Sequence, residues 1–155
     1  MAITASGLFG LTLEKMLLTT GPDLSAEDHR STLQTDAGAP AYDTHDFFSD
    51  LAASDISGTG YVDDQGIAMV GTVLTIGAPA AGQIRFDITT DPAWPTSTLT
   101  NAMALLGADL VGTGAMGADD PLIFLSDFVT AVSTTAGTLT VQIHANGVFY
   151  IDYVA

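Results

Sequence analysis

The sequence predicts a mainly β protein: an antiparallel β-sandwich of jelly-roll-like kind with a short N-terminal helix. Three observations carry that expectation. Short runs rich in Val, Ile, Leu, Thr and aromatics recur along the chain. Clusters of Gly, Pro, Asp and Ser separate them, as turns between strands require. Only residues 7–19 space their apolar side chains with a helical period. At 155 residues the chain suits a single domain, 1–155, with 1–20 as an N-terminal helix or arm and 21–155 as the sandwich. No linker, charge block, low-complexity tract or repeat divides it.

In residues 7–19, Leu8, Leu11 and Leu18 share one helical face and Phe9, Leu13, Met16 and Leu17 another. Ser6 is placed to cap the start, and Gly21-Pro22 to stop the helix. Gly10 weakens the pattern, and a pair of strands is the rival reading. Residues 29–35 read as a short strand. Thr44 can cap a one- or two-turn helix running to Asp50, with Phe47, Phe48 and Leu51 turned inward. Strand-like segments follow at 66–76, 82–89, 98–106, 121–128, 138–144 and 148–154. Between 138–144 and 148–154, Asn146-Gly147 suits a type I′ turn, which predicts a C-terminal hairpin. Both faces of its second strand are apolar, so that strand is expected to be covered twice, by the core and by a neighbouring element or subunit. Residues 107–120 read as an exposed loop.

Charge sets limits on partners. Lys15, Arg30 and Arg85 stand against sixteen Asp and two Glu, for a formal net charge of −15. Phosphate backbones and anionic lipid both need Lys and Arg, so no nucleic acid and no membrane are expected as partners. An acidic surface favours solubility, and leaves basic or apolar partners as the functional reading. With no cysteine, disulfides, thiolate metal sites and a cysteine nucleophile are excluded. The N-terminus lacks the positive region of a secretory signal, and no run of about 18 apolar residues exists to span a bilayer. The chain reads as a soluble protein made in a cytoplasm, without an export address of its own.

The motifs that carry chemistry elsewhere fail on context. Residues 112–117 match G-x-G-x-x-G by letter, but Asp119-Asp120 and a strand follow where a dinucleotide site needs an opening helix. His29, His45 and His144 show no metal-protease or facial-triad spacing. His45 between Asp43 and Asp46 could join a divalent-cation site, though such a run more often starts a helix. Asp63-Asp64 and Asp119-Asp120 raise calcium, yet neither follows the alternating loop pattern, so solvated turn acids are favoured. Paired carboxylates carry no information among sixteen Asp, and no G-x-S-x-G elbow is present. No catalytic residue, cofactor or metal is therefore assigned, and an enzyme is not expected. Trp94, between Pro92 and Pro95, either caps the core or, if exposed, offers a sugar a stacking surface.

One segment is distinctive. Asp43-Thr44-His45-Asp46-Phe47-Phe48, followed by Gly58-Thr59-Gly60-Tyr61, resembles a signature of small structural proteins of tailed-bacteriophage virions. There a Thr-His-Asp-Tyr/Phe-Phe run precedes Gly-Thr-Gly-Tyr. Looser likeness extends to Gly7-Leu8-Phe9-Gly10-Leu11, Leu33-Gln34-Thr35, Trp94-Pro95-Thr96-Ser97-Thr98 and Pro121-Leu122-Ile123. The chain departs from the pattern in its Ala/Gly/Pro-rich segment before Asp43. It departs again at Asn101-Ala102-Met103, where an Arg is expected in many members of the family it resembles. The resemblance implies a non-enzymatic virion component, most simply a capsid decoration (cement) protein on the capsid surface. Its partner would be the major capsid protein, and its own state a homo-oligomer, with a homotrimer favoured. A tail or neck component, or a carbohydrate-binding module centred on Trp94, are the alternatives. The expected interface residues are Val148, Tyr150, Phe9, Leu13 and Tyr42, with residues 1–20 and 36–42 as gripping arms.

Overall fold

The computed structural model describes residues 3–26, 28–63, 65–112 and 114–153. Met1, Ala2, Asp64, Thr113 and Val154, on which some of the sequence expectations fell, lie outside them. In chain order come β1 (Gly7–Leu8), α1 (Gly10–Leu17), β2 (His29–Thr35), β3 (Gly58–Thr59) and β4 (Ile67–Ala68). Then follow β5 (Thr72–Ile76), β6 (Gln83–Ile88), β7 (Ala93–Asp109), β8 (Leu122–Thr140) and β9 (Phe149–Asp152). Two antiparallel sheets pack against one another. The larger runs β1-β8-β7-β2-β4 with β3 also on β7, and the smaller runs β5-β6-β9.

Alternation along β7 explains why its centre reads as a continuous apolar run. Leu99, Ala102 and Leu105 join Leu33, Phe86, Trp94 and Phe124 in the core between the sheets. Ala104, Leu106 and Ala108 belong to a second cluster with Phe9, Phe48, Leu51 and Leu125. The middle of the large sheet is thus buried on both faces, where a strand need not alternate with polar residues. Gly107 sits in that strand because a Cβ there would come 2.1 Å from the Phe124 ring.

Several local expectations change. Ser6 does not cap α1; its hydroxyl accepts the Asp127 N–H at 2.9 Å, and α1 starts after Phe9 without a side-chain cap. The helix ends before Gly21, in a Schellman arrangement. Thr19 N–H reaches Met16 O and Thr20 N–H reaches Lys15 O, with Thr19 in the left-handed region at φ 60°. Residues 1–20 are not a free arm from Ile3 onward: β1 pairs with Leu125 and Phe124, and Ile3 and Phe9 are buried. After Thr44 no α-helix forms, only single 3-10 turns at Phe48–Asp50 and Ala52–Ser54. Residues 107–109 belong to β7 rather than to a loop, and Met116 and Asp120 in the following segment are buried.

The largest correction concerns the C-terminal hairpin. β9 pairs with β6, in register Phe86↔Phe149 and Arg85↔Tyr150, and not with residues 138–144. Asn146 lacks the positive φ of a type I′ turn; only Gly147 has it, at 89°. Gly147 N–H instead closes a turn on His144 O at 2.8 Å. Stacking of Phe149 on Phe86, centroids 5.1 Å apart, and its contact with Phe124 at 6.1 Å draw the strand into the smaller sheet.

Candidate functional site

The distinctive segment 43–61 is built as a brace. The Asp50 carboxylate accepts the N–H groups of Asp46 (2.9 Å) and Phe47 (3.1 Å). Those two bonds hold it below the ordinary carboxylate range. Phe48 N–H bonds Asp120 O at 2.8 Å and Leu122 N–H bonds Asp46 O at 2.8 Å, which laces the segment to the entry of β8. Lys15 of α1 bonds Asp46 and lies 4.6 Å over the Phe47 ring. His45 is satisfied locally, its Nδ1 accepting the Ala41 N–H at 3.3 Å.

The Gly-Thr-Gly-Tyr end has an equally physical account. A Cβ on Gly58 would come 2.3 Å from Thr98 O, and one on Gly60 2.7 Å from Thr96 O at φ +78°. Both glycines let β3 lie close on β7. Tyr61 is buried, and its ring stacks on Trp94 with centroids 6.2 Å apart. Its hydroxyl accepts the Leu33 N–H at 3.0 Å and donates to Asp55 at 2.7 Å. Burial, and next the charge of Asp55, push the phenol far above its usual value. The signature residues hold the sandwich together. Trp94 is 4% exposed. The sugar-stacking alternative loses the exposed ring it requires, and the core-capping reading stands.

A second cluster joins β2 to β7. His29 is fully buried, with Nδ1 at 2.9 Å from Asp109 Oδ1 and 3.7 Å from Asp28 Oδ1. The three side chains offer ligand atoms within 4.8 Å of one another, a spacing and donor set that suit a divalent cation. A ligating histidine, however, passes its other N–H to an acceptor, and His29 Nε2 has no partner beside the Phe86 ring. A neutral imidazole donating from Nδ1 to Asp109 leaves only an orphan acceptor, the lesser cost. The group works as a clamp between paired residues, since His29 and Asp109 are in register. Asp120 likewise is a turn acid, its carboxylate accepting the Val111 (3.0 Å) and Gly117 (2.8 Å) N–H groups.

Four of the five expected interface residues, Phe9, Tyr42, Val148 and Tyr150, lie around β1. Phe9 is fully buried and presents nothing to a partner. Tyr42 packs on it at 5.2 Å, covers Gly7 and donates its hydroxyl to Ala5 O at 2.5 Å. Burial, then the charge of Asp127, raise the Tyr42 phenol. Leu13 is half-buried on α1. Val148 and Tyr150 line a groove of about 270 Å³ that runs along Gly7 and Leu8, and Tyr150 is 47% exposed. Of the five only Tyr150 is exposed; Val148, like Leu13 and Tyr42, is half-buried.

Sequence reasoning missed the open side of β8. Beyond Phe128 this strand is mostly exposed, with Leu139 buried in the core, and carries chiefly Val, Thr, Ser and Ala. The available signal was a blank in the charge pattern: residues 128–151 contain no Asp, Glu, Lys or Arg in an otherwise strongly acidic chain. Among the described residues no helix is long and apolar enough to cross a membrane. No family model matches the chain, and neither curated proteins nor solved structures show a match to it.

Proposed function

We propose that this chain is a non-enzymatic structural protein of a tailed-bacteriophage virion, acting as a capsid decoration protein on the outer surface of the assembled head. The observation that carries the reading is the resemblance of residues 43–61 to the signature of such proteins. Its character as a structural brace suits a protein whose work is mechanical. Charge supports the same reading. Lys15, Arg30 and Arg85 are all engaged within the chain, by Asp46, by the carbonyls of Gln65 and Gly66, and by Asp87. The outward surface is left acidic, suited to a basic or apolar partner surface, here the major capsid protein. A protein that binds only the assembled lattice stabilises it by mass action, and repetition over many copies multiplies a modest interface.

Cryo-electron microscopy of intact particles tests this directly. Density for the chain on the outer shell, repeated with icosahedral symmetry, is the expected result. Density confined to the tail would transfer the chain to a tail or neck role, and absence from particles would sink the virion reading.

A further inference from the structure

The two sides of β8 are not treated alike. One side pairs with β7 along most of its length. On the other, among the described residues, only β1 pairs, at Phe124 and Leu125. Past the Ser6 hydroxyl on Asp127 N–H, residues 128–140 present an open strand edge. Such an edge is a row of unpaired N–H and C=O groups, a template for another strand. Proteins usually blunt it with Lys, Pro, charges or bulges; this stretch has no charge and no Pro, and between the positive φ of Val129 and of Ala136 residues 130–135 stay extended. Val129 is 81% exposed and Val132 36%.

Charge, length and sequence identify the occupant. At −15, two copies repel each other through most of their surface, and the engaged cations leave no ion pairs to offset this. The open edge is uncharged, so a second copy can approach there. The other edge strands β1, β3, β4, β5 and β9 have 2, 2, 2, 5 and 4 residues, whereas β8 has 19. Among them only another β8 can match such a length. The sequence is also compatible with itself about a two-fold axis centred on Val132. Antiparallel pairing there sets Val132 opposite Val132, Ala131 opposite Ser133 and Thr130 opposite Thr134, small or β-branched partners throughout.

We infer that the open edge of β8 pairs antiparallel with the same edge of a second copy, joining two large sheets across a two-fold axis. Such an interface is isologous, each copy giving and receiving the same contacts. It stands independently of the virion reading: a two-fold dimer forms in solution whether or not a shell is present.

Sedimentation velocity on the full chain tests it, beside a Thr130→Asp/Val132→Asp variant that sets four carboxylates along the seam. The expected result is a wild-type dimer and a monomeric double variant with unchanged circular dichroism, its dimer dissociation constant raised by at least about tenfold. Thr100→Asp, an equal kind of charge change on exposed β7 rather than on the open edge, should remain dimeric. A wild-type monomer, a trimer, or a dimer that survives the two seam acids would each overturn the proposal. Should Ile76→Lys, on the exposed end of β5, dissociate a dimer that the seam acids leave intact, the contact lies on the smaller sheet instead.

Discussion

The β7–β8 ribbon is one ladder held together in two different ways. In its proximal half, Leu105↔Ser126, Leu106↔Leu125 and Gly107↔Phe124 pair in steady register, and both faces are buried. In its distal half the register shifts repeatedly, between Trp94 and Ser97, Ser97 and Leu99, and Leu99 and Ala102. There Ser and Thr hydroxyls complete what the backbone leaves open. Thr134 Oγ1 accepts Leu99 N–H at 3.2 Å and donates to Ser97 O at 2.9 Å; Ser133 Oγ accepts Asn101 N–H at 3.0 Å. Thr98 Oγ1 accepts Ala136 N–H at 2.9 Å. Thr96, Asn101, Val129 and Ala136 all take positive φ in this half. Apolar burial fixes the first half, whereas bulges patched by hydroxyls fix the second. Thr and Ser there are structural parts rather than a generic solvated surface.

The sharpest break in the comparison comes from deleting methyl groups. Leu106→Ala, fully buried in the proximal half, should cost about 2–5 kcal/mol in urea unfolding. Val132→Ala, in the distal half, should stay within about 0.5 kcal/mol. Equal costs would mean that both halves rely on packing.

Tyr61 comes next, because it anchors the one buried face of the distal half through Trp94. Tyr61→Phe leaves the Leu33 N–H buried without its acceptor, worth about 1–3 kcal/mol near neutral pH. Its pH behaviour is a separate signature. The folded phenol titrates well above the 10.0 of a free tyrosine, so its contribution is complete below pH 10 and lost as pH rises further. Wild-type stability should therefore fall above about pH 10, and Tyr61→Phe should flatten that fall. An unchanged alkaline limb would place the sensitive group elsewhere.

How far the sequence disclosed this arrangement follows from the same contrast. β2 is legible because residues 29–35 stand between turn signals, and the span at 82–89 matches β6 almost to its ends. The apolar cores of β7 and β8 are legible too, at 98–106 and 121–128. Their distal continuations are not, since Thr, Ser, Ala and Gly at 129–137 carry no apolar period and owe their strand state to cross-strand hydroxyls. The C-terminal hairpin misled because Asn-Gly is a local signal, whereas Phe149 packs on Phe86, distant in sequence. Around the candidate site, the prolines beside Trp94 pointed correctly to a core cap. The roles of Gly58, Gly60 and Tyr61 depend on β7 lying across them, which spacing alone does not encode.

Two smaller changes sharpen the account of the distal half. Thr134→Val keeps shape and removes the hydroxyl that serves both Ser97 and Leu99. About 1–2 kcal/mol should be lost, against almost none for Thr130→Val, which makes no such bond. A neutral Thr134→Val would mean that water replaces the hydroxyl at the bulge.

The smallest effect has the opposite sign. Val129 sits at φ 65°, where a β-branched side chain clashes with its own backbone and glycine does not. Its N–H is held by Asp127 Oδ1 at 2.8 Å, a bond between the two that fixes the turn out of the proximal half. Val129→Gly relieves the strain and keeps this bond, but frees the unfolded chain. The side chain is 81% exposed, so little burial is lost. The net expectation is a gain of about 0.5–1 kcal/mol, read as a higher urea midpoint at unchanged slope. Thr19→Gly, at φ 60° in the Schellman end of α1, supplies the reference value for the same relief outside the ribbon. If Thr19→Gly stabilises and Val129→Gly does not, the strained turn at Val129 is supported by contacts across the open edge of β8, and the distal half is held by more than its hydroxyls.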